Sequence, residues 1–494
     1  MDYISTRCSS KRVESSTAIL SGIAPDGGLY TPASISGIHK SHITYLRTKS
    51  YEERAAWLLG SFLTDFTPEE LSAYAEKAYR RFDTRAVAPV VPCGDQTYIL
   101  ELFHGPTCAF KDMALQILPY LLTASIKKCG VSDEITILVA TSGDTGKAAL
   151  EGFSDVDGTR IMVFYPENGV SEIQKLQMVT QTGQNVAVCA VQGNFDDAQT
   201  GVKRIFADAA FAARLAEKGI RLSSANSINW GRLVPQIVYY VSAYCDLLNQ
   251  GAIADGEKIN ICVPTGNFGN ILAAYLAKRM GLPVARLICA SNANNVLTEF
   301  LQTGSYNARR PFFTTASPSM DILVSSNVER LLFELSEHNG EAVNAMMQSL
   351  AKNGGYTVPE LLAKRLTDVF SAGWCDDQAT LDCIRRYYQT FRYLPDTHTA
   401  VALSVLADYR QKTGDQTPTV VASTASPFKF APDVLHALTG EPCADHANAA
   451  SRLSELTGIP VPEPIRTLAG KPVRFTDCVG KADMLNKVSA WLIG

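Results

Sequence analysis

From about residue 134 onward, short runs of apolar and β-branched residues alternate with longer stretches of helical period. Ile135-Thr136-Ile137-Leu138-Val139 reads as a buried strand, followed by a Gly-rich turn and a helix that begins at Thr145-Gly146-Lys147-Ala148-Ala149-Leu150. Arg160-Ile161-Met162-Val163-Phe164-Tyr165 and Val186-Ala187-Val188-Cys189-Ala190-Val191 read as the next two strands. After the second, Asp196 and Asp197 stand where they would complement the N-terminal dipole of a helix with Val202, Ile205 and Phe206 on one face. Lys258-Ile259-Asn260-Ile261-Cys262-Val263, Val284-Ala285-Arg286-Leu287-Ile288-Cys289 and Thr419-Val420-Val421-Ala422 extend the series. Apolar strands separated by helices imply an α/β protein whose mostly parallel sheets are covered on both faces. The first 95 residues differ, with a turn at Asp26-Gly27-Gly28 and a charged helical stretch near residues 52–81. The expected organisation is an N-terminal domain over 1–95 and a catalytic region of two α/β subdomains over 96–494.

Composition narrows the class. At 494 residues the chain exceeds one ordinary core and accommodates two or three domains. Lys plus Arg is 45 and Asp plus Glu is 49, a formal charge of -4, which argues against a nucleic-acid binder. The N-terminus lacks the basic-then-apolar profile of a secretory signal, and no window approaches the roughly 20 apolar residues that span a bilayer. A cytoplasmic location without membrane partners is expected. The 12 cysteines are scattered with no C-x-x-C pair, and several lie in apolar runs as small buried hydrophobes. No metal site is expected.

In open α/β sheets, ligands gather at the carboxyl ends of strands. Four segments are therefore candidates for chemistry. In His104-Gly105-Pro106-Thr107-Cys108-Ala109-Phe110-Lys111-Asp112, a lysine with apolar neighbours opens a helix that runs through Leu115, Leu118 and Leu122. An ammonium in an apolar setting is disfavoured, so its pKa falls and the free amine becomes a nucleophile toward an aldehyde. A lysine snorkelling near a helix N-terminus is the other reading of the same residues. Thr141-Ser142-Gly143-Asp144-Thr145-Gly146 leads a helix whose first amides would attract a carboxylate or phosphate, though it also reads as an ordinary turn. Pro264-Thr265-Gly266-Asn267-Phe268-Gly269-Asn270 suits an anion nest, with a plain turn as the other reading, and lacks both the P-loop ending and the dinucleotide pattern. Ser423-Thr424-Ala425-Ser426-Pro427-Phe428-Lys429-Phe430 offers hydroxyls at a strand end, for a heteroaromatic nitrogen or for a helix cap.

The segment 104–112 resembles the cofactor-lysine signature of threonine synthases, with Cys108 where that family usually has Leu. Tyr3-Ile4-Ser5-Thr6-Arg7, Ala24-Pro25-Asp26-Gly27-Gly28-Leu29-Tyr30, Asn226-Ser227-Ile228-Asn229-Trp230-Gly231-Arg232, Asp396-Thr397-His398-Thr399-Ala400 and the segment 423–430 are similar to the same family in the same order. The resemblance implies the type II pyridoxal-phosphate (PLP) fold, related to the tryptophan synthase β-subunit, with an added N-terminal domain. It implies PLP carried by Lys111 as a Schiff base, with Lys111 later moving protons. Gly266, Asn267, Phe268, Gly269 and Asn270 would hold the PLP phosphate, and Thr424 would face the pyridine nitrogen. Ser142, Gly143, Asp144 and Thr145 would bind the carboxylate region of the substrate. The implied reaction converts O-phospho-L-homoserine and water to L-threonine and phosphate. Arg232 with Asn226, Ser227 and Asn229 is the preferred group for the substrate phosphate; a surface salt bridge is the other reading of Arg232. His104, which could position substrate or cap the local backbone, and Thr107 complete the expected substrate-binding set, while His398 reads as structural.

Three residues depart from the family pattern: Cys8 in place of a common Gly, Lys147 in place of a small residue, and Asp144, whose charge beside a substrate carboxylate is electrostatically awkward. The alternatives are a phospho-lyase that releases 2-oxobutyrate from the same substrate, a serine or threonine dehydratase of the same fold, and a catalytically inactive binding protein. The retained Lys111 counts against the last.

Overall fold

The computed structural model describes residues 1–494 apart from the side chain of Asp196, so the dipole role expected of Asp196 lies outside the described residues. Two sheets carry the molecule. One has six strands in the order Phe370–Trp374, Val284–Ser291, Ile259–Pro264, Thr419–Ser423, Thr97–Glu101, Val90–Pro92. The other has five, in the order Cys478–Gly480, Val186–Gln192, Thr159–Pro166, Glu134–Ala140, Ile220–Ser223. Every neighbouring pair is parallel except Val90–Pro92 with Thr97–Glu101. Each strand predicted from its apolar run is present, because a parallel strand covered by helices on both faces needs apolar residues at successive positions. Ile137, Leu138 and Val139 are all buried, and Ile137 pairs with Ile161.

The chain enters the six-stranded sheet at Val90–Pro92, a few residues ahead of the 95/96 boundary expected from sequence. It builds most of the five-stranded sheet, returns to the first sheet, and adds the edge strand Cys478–Gly480 to the second. The charged stretch near 52–81 is two helices, Tyr51–Phe62 and Pro68–Tyr79, each opened by a capping box: Ser50 with Glu53 and Thr67 with Glu70. Their apolar faces bury Leu58, Leu59, Phe62 and Leu71, and Arg54 pairs with Asp246 at 2.7 Å. That aspartate belongs to the helix Trp230–Asn249, which is buried along almost its whole length. The strands Tyr3–Ser5 and Tyr30–Pro32 form a small antiparallel pair beside these helices. Among the described residues, no helix is long and apolar enough to cross a membrane.

Candidate active site

The loops that follow Glu134–Ala140, Ile259–Pro264 and Thr419–Ser423 converge on a cavity of about 660 Å³. Lys111 and Thr424 line it, and the backbone explains why. The Phe110 N–H donates to the Thr424 carbonyl at 2.8 Å, and Ala109 forms an isolated bridge with Ala425. Cys108 takes a left-handed backbone (φ 58°), and the turn before it closes on Asp112. The Asp112 carboxylate accepts the Thr107 N–H at 2.8 Å, the Thr107 hydroxyl at 2.9 Å and Gln116 Nε2 at 3.2 Å. The expected continuous helix from Lys111 is two pieces, Asp112–Leu115 and Leu118–Lys128.

Lys111 opens this segment, and its side chain has no hydrogen-bond or ion-pair partner among the described residues, its Nζ 4.0 Å from the Phe110 ring centroid. Burial, helped by the positive charges of Arg232 and Lys429 and opposed by Asp144, brings its pKa down to about 7. A substantial fraction of the amine is therefore neutral at physiological pH. That is the form that attacks an aldehyde.

Opposite the lysine, Gly266, Asn267, Phe268, Gly269 and Asn270 wrap the start of the helix Gly269–Arg279. Phe268 is its N-cap in a left-handed conformation (φ 63°) and makes no side-chain cap bond, so it leaves uncapped the first-turn N–H groups, which have no intrahelical partners in any helix. A side chain at position 266 would meet the Ser319 carbonyl at 2.6 Å, so only glycine allows this close approach. Asn270 Oδ1 accepts from the Tyr239 hydroxyl at 2.7 Å and from the Tyr240 hydroxyl, yet its buried Nδ2 has no partner. An orphaned buried donor beside a helix N-terminus is the environment of a bound phosphate.

The third wall holds Ser142, Thr145, Asn226, Ser227 and Arg232. Arg232 is buried with no carboxylate partner among the described residues; it donates to the Ala225 carbonyl at 2.8 Å and to Thr145 Oγ1 at 3.2 Å. Burial alone lowers its pKa to about 10, so it remains charged. Asn226 Oδ1 is a further buried atom without a partner. A guanidinium in this state calls for an anion from outside the chain.

Other expected site residues lie elsewhere. The Thr107 hydroxyl is spent on Asp112 and fully buried. His104 binds Asp83 through Nδ1 at 2.6 Å and Glu101 through Nε2 at 3.0 Å, away from the cavity lining. Burial opposes its ionisation, but the two carboxylates outweigh it and raise the pKa to about 9. Asn229 caps the helix Trp230–Asn249, its Oδ1 accepting the Gly231 N–H at 2.9 Å. Gly143 packs on Gln174, and a Cβ there would stand 2.5 Å from Oε1. Asp144 turns away from the cavity to Lys429 Nζ at 2.8 Å and Gln174 Nε2 at 2.8 Å, with Ser319 Oγ at 3.4 Å. Burial resists its ionisation, but Lys429 and Gln174 hold its pKa well below the usual carboxylate range. This removes the charge conflict that its position in the loop suggests.

His398, read from sequence as structural, lines the cavity. Its Nδ1 faces Asp396 Oδ1 at 2.8 Å and its Nε2 accepts the Ser319 N–H at 3.1 Å, which fixes the ring. Gln236, Ser319 and Ser326 also line the cavity and escaped sequence reasoning, since none belongs to a strand-end motif. Among the described residues, no group of three His, Cys, Asp or Glu is placed to hold a metal ion.

A poised amine, a helix N-terminal nest and a guanidinium without a carboxylate partner around one cavity fit pyridoxal phosphate with an anionic substrate. Comparison with known proteins agrees. Residues 2–79 match the family described as threonine synthase N terminus, 89–360 the pyridoxal-phosphate dependent enzymes, and 399–488 the threonine synthase C-terminal family. The threonine synthase of Pseudomonas aeruginosa is 39% identical over 91% of this chain and 93% of its own length. Threonine synthase-like 1 of Macaca fascicularis is 44% identical over 86% of this chain, which spans only 58% of that longer protein. The crystal structure of PLP-bound threonine synthase from Brucella melitensis superimposes with a TM-score of 0.87 at 37% identity, covering 100% of this chain and 98% of that one. The cofactor is pyridoxal 5'-phosphate, and the chain belongs to the threonine synthase family of fold type II PLP-dependent enzymes.

Proposed function

We propose that the protein is a threonine synthase acting on O-phospho-L-homoserine and water to give L-threonine and phosphate. The observation that carries the reading is Arg232, a buried cation without a counter-ion in the wall of the cavity that holds Lys111. When bound, the cofactor supplies the electron sink for carbanions on the substrate chain.

The chain's own residues do the rest. Lys111 Nζ anchors the cofactor and then takes and returns protons at the substrate carbons, a task suited to an amine with a pKa near neutrality. Gly266 to Asn270 receive the cofactor phosphate, with Asn270 Nδ2 as a side-chain donor. Thr424, which lines the same cavity, would offer its hydroxyl to the pyridine nitrogen. Ser142, Thr145 and the first amides of the helix Asp144–Phe153 hold the substrate carboxylate. Arg232 and Asn226 hold the leaving phosphate by charge-assisted hydrogen bonds.

Phosphate release measured with O-phospho-L-homoserine, O-phospho-L-serine and O-acetyl-L-homoserine tests the substrate class, the acetyl ester being followed by acetate release. Turnover confined to the first supports the reading. Equal turnover of the acetyl ester would remove the role given to Arg232.

A further inference from the structure

Arg330 is fully buried, and no carboxylate lies within ion-pair distance of it among the described residues. Desolvation lowers its pKa to about 9, against the support of the adjacent Glu329 charge. Burying a guanidinium is costly unless its donors are satisfied, so its partners show what the burial secures. Nε donates to the Tyr30 carbonyl at 3.0 Å, on the small N-terminal strand. Nη1 reaches the Ser227 carbonyl at 3.4 Å and Asn327 Oδ1 at 2.6 Å, and Nη2 bonds the Ile228 carbonyl. Its Cζ lies 5.9 Å from the centroid of the Trp230 ring.

These partners belong to three separate parts of the chain, and two of the partners, Ser227 and Ile228, line the cavity. Ser227 and Ile228 are on the loop that carries Asn226 and leads to Arg232. Asn327 holds the nest from behind: its N–H and its Nδ2 both donate to the Asn267 carbonyl, at 3.2 and 3.0 Å. Ser325 adds a bond to the Gly266 carbonyl at 2.9 Å. With those carbonyls engaged on the outer side, the N–H groups of the nest stay aimed at the ligand. The N-terminal end of the assembly is fixed next door, where Glu329 receives Thr6 Oγ1 at 2.6 Å and both Nε and Nη2 of Arg7 at 2.9 Å.

We propose that Arg330 is a positioning residue through which the N-terminal strands hold the cofactor-phosphate nest and the substrate-phosphate loop in register. It touches neither ligand. A planar fork can satisfy four acceptors on three segments at once, whereas a lysine at this position could serve one or two. The inference rests on reading residues 266–270 as the cofactor-phosphate cradle.

The test uses the full chain, stripped of cofactor and titrated with PLP by absorbance, followed by substrate KM after reloading. Asn270→Ala checks the underlying reading: it should weaken PLP binding by itself, and an unchanged Kd would refute the cradle rather than the role of Arg330. Arg330→Lys and Arg330→Met should each raise the PLP Kd about tenfold and raise KM in the same direction, with lysine giving no rescue. Asn327→Ala cuts only the branch to the nest and should raise the PLP Kd in a chain that folds normally. Folded Arg330→Lys with wild-type Kd and KM would overturn the proposal. If the Arg330 variants fail to fold, Asn327→Ala decides: a raised Kd supports the proposal, and a wild-type Kd reduces Arg330 to a structural residue.

Discussion

Asp144 Oδ1 lies 2.8 Å from Lys429 Nζ, and both side chains are almost entirely buried. The aspartate opens the helix after the strand Glu134–Ala140 of the five-stranded sheet, and the lysine follows the strand Thr419–Ser423 of the six-stranded sheet. One ion pair thus ties the loop bearing Ser142 and Thr145 to the segment bearing Thr424. Lys429 also donates to the Thr107 carbonyl at 2.9 Å.

Removing one partner of this pair leaves the other charged and buried. Asp144→Asn should cost on the order of 3 kcal/mol of stability, read from urea unfolding. Adding Lys429→Met to that variant should cost much less than Lys429→Met costs alone, because the second change removes an already unpaired ammonium. Additive losses would show that the two groups do not interact energetically.

His104 makes a pH-dependent contribution whose sign is set by its raised pKa. The folded value of about 9 exceeds the ordinary value of 6.5, so the stabilisation is complete below about pH 6.5 and disappears as pH rises through 9. His104→Gln should therefore cost about 1 kcal/mol at pH 6.5 and progressively less toward pH 9.5. Substrate KM should stay near wild type, since His104 does not line the cavity. A gap that widens with pH would contradict the hydrogen bonding to Asp83 and Glu101.

The amine of Lys111 should titrate far below the ordinary lysine value of 10.5. The rate at which cofactor-stripped protein captures PLP should rise with pH around a midpoint near 7, as the free amine replaces the ammonium. Borohydride reduction of the loaded protein should leave the pyridoxyl label on the peptide that contains Lys111. A label elsewhere, or near-normal turnover by Lys111→Ala, would refute the role.

Arg232→Gln should raise KM for the phosphorylated substrate by roughly 10- to 100-fold, the range expected for losing charge-assisted hydrogen bonds. Arg232→Lys should recover part of the loss by charge without the fork. Inorganic phosphate should inhibit wild type more strongly than either variant. An unchanged KM in Arg232→Gln would place the substrate phosphate elsewhere.

Much of the catalytic scaffold was legible from residue types, for a physical reason. Parallel strands buried on both faces are continuous apolar runs, and Ile135–Val139 and its counterparts announce themselves. Edge strands carry less of that signal, which is why Phe370–Trp374, with Ser371, Ala372 and Gly373 at its centre, and Val90–Pro92 went unread. The charged stretch near 52–81 hid a break that Thr67-Pro68 marks, a cap followed by proline at the first helical position.

At the site, the same contrast holds. The nest shows in the spacing of Gly266 and Gly269, because backbone approach leaves its mark in the residue type. Partner choice leaves none: nothing beside Asp144 in sequence points to Lys429, and nothing beside Arg330 points to Tyr30, Ser227 and Asn327. His398 reads as structural from sequence because nothing near it suggests a base; in the structure Asp396, a helix cap, anchors one edge of its ring and the other edge reaches the cavity wall at Ser319.

The decisive measurement is the carbon product formed from O-phospho-L-homoserine by the PLP-loaded protein, followed by NMR alongside released phosphate. The proposed reaction requires L-threonine in equal amount to phosphate, with water added at Cβ. Release of 2-oxobutyrate and ammonia would retain the fold, the cofactor and the phosphate site, and would contradict the proposal that this chain is a threonine synthase.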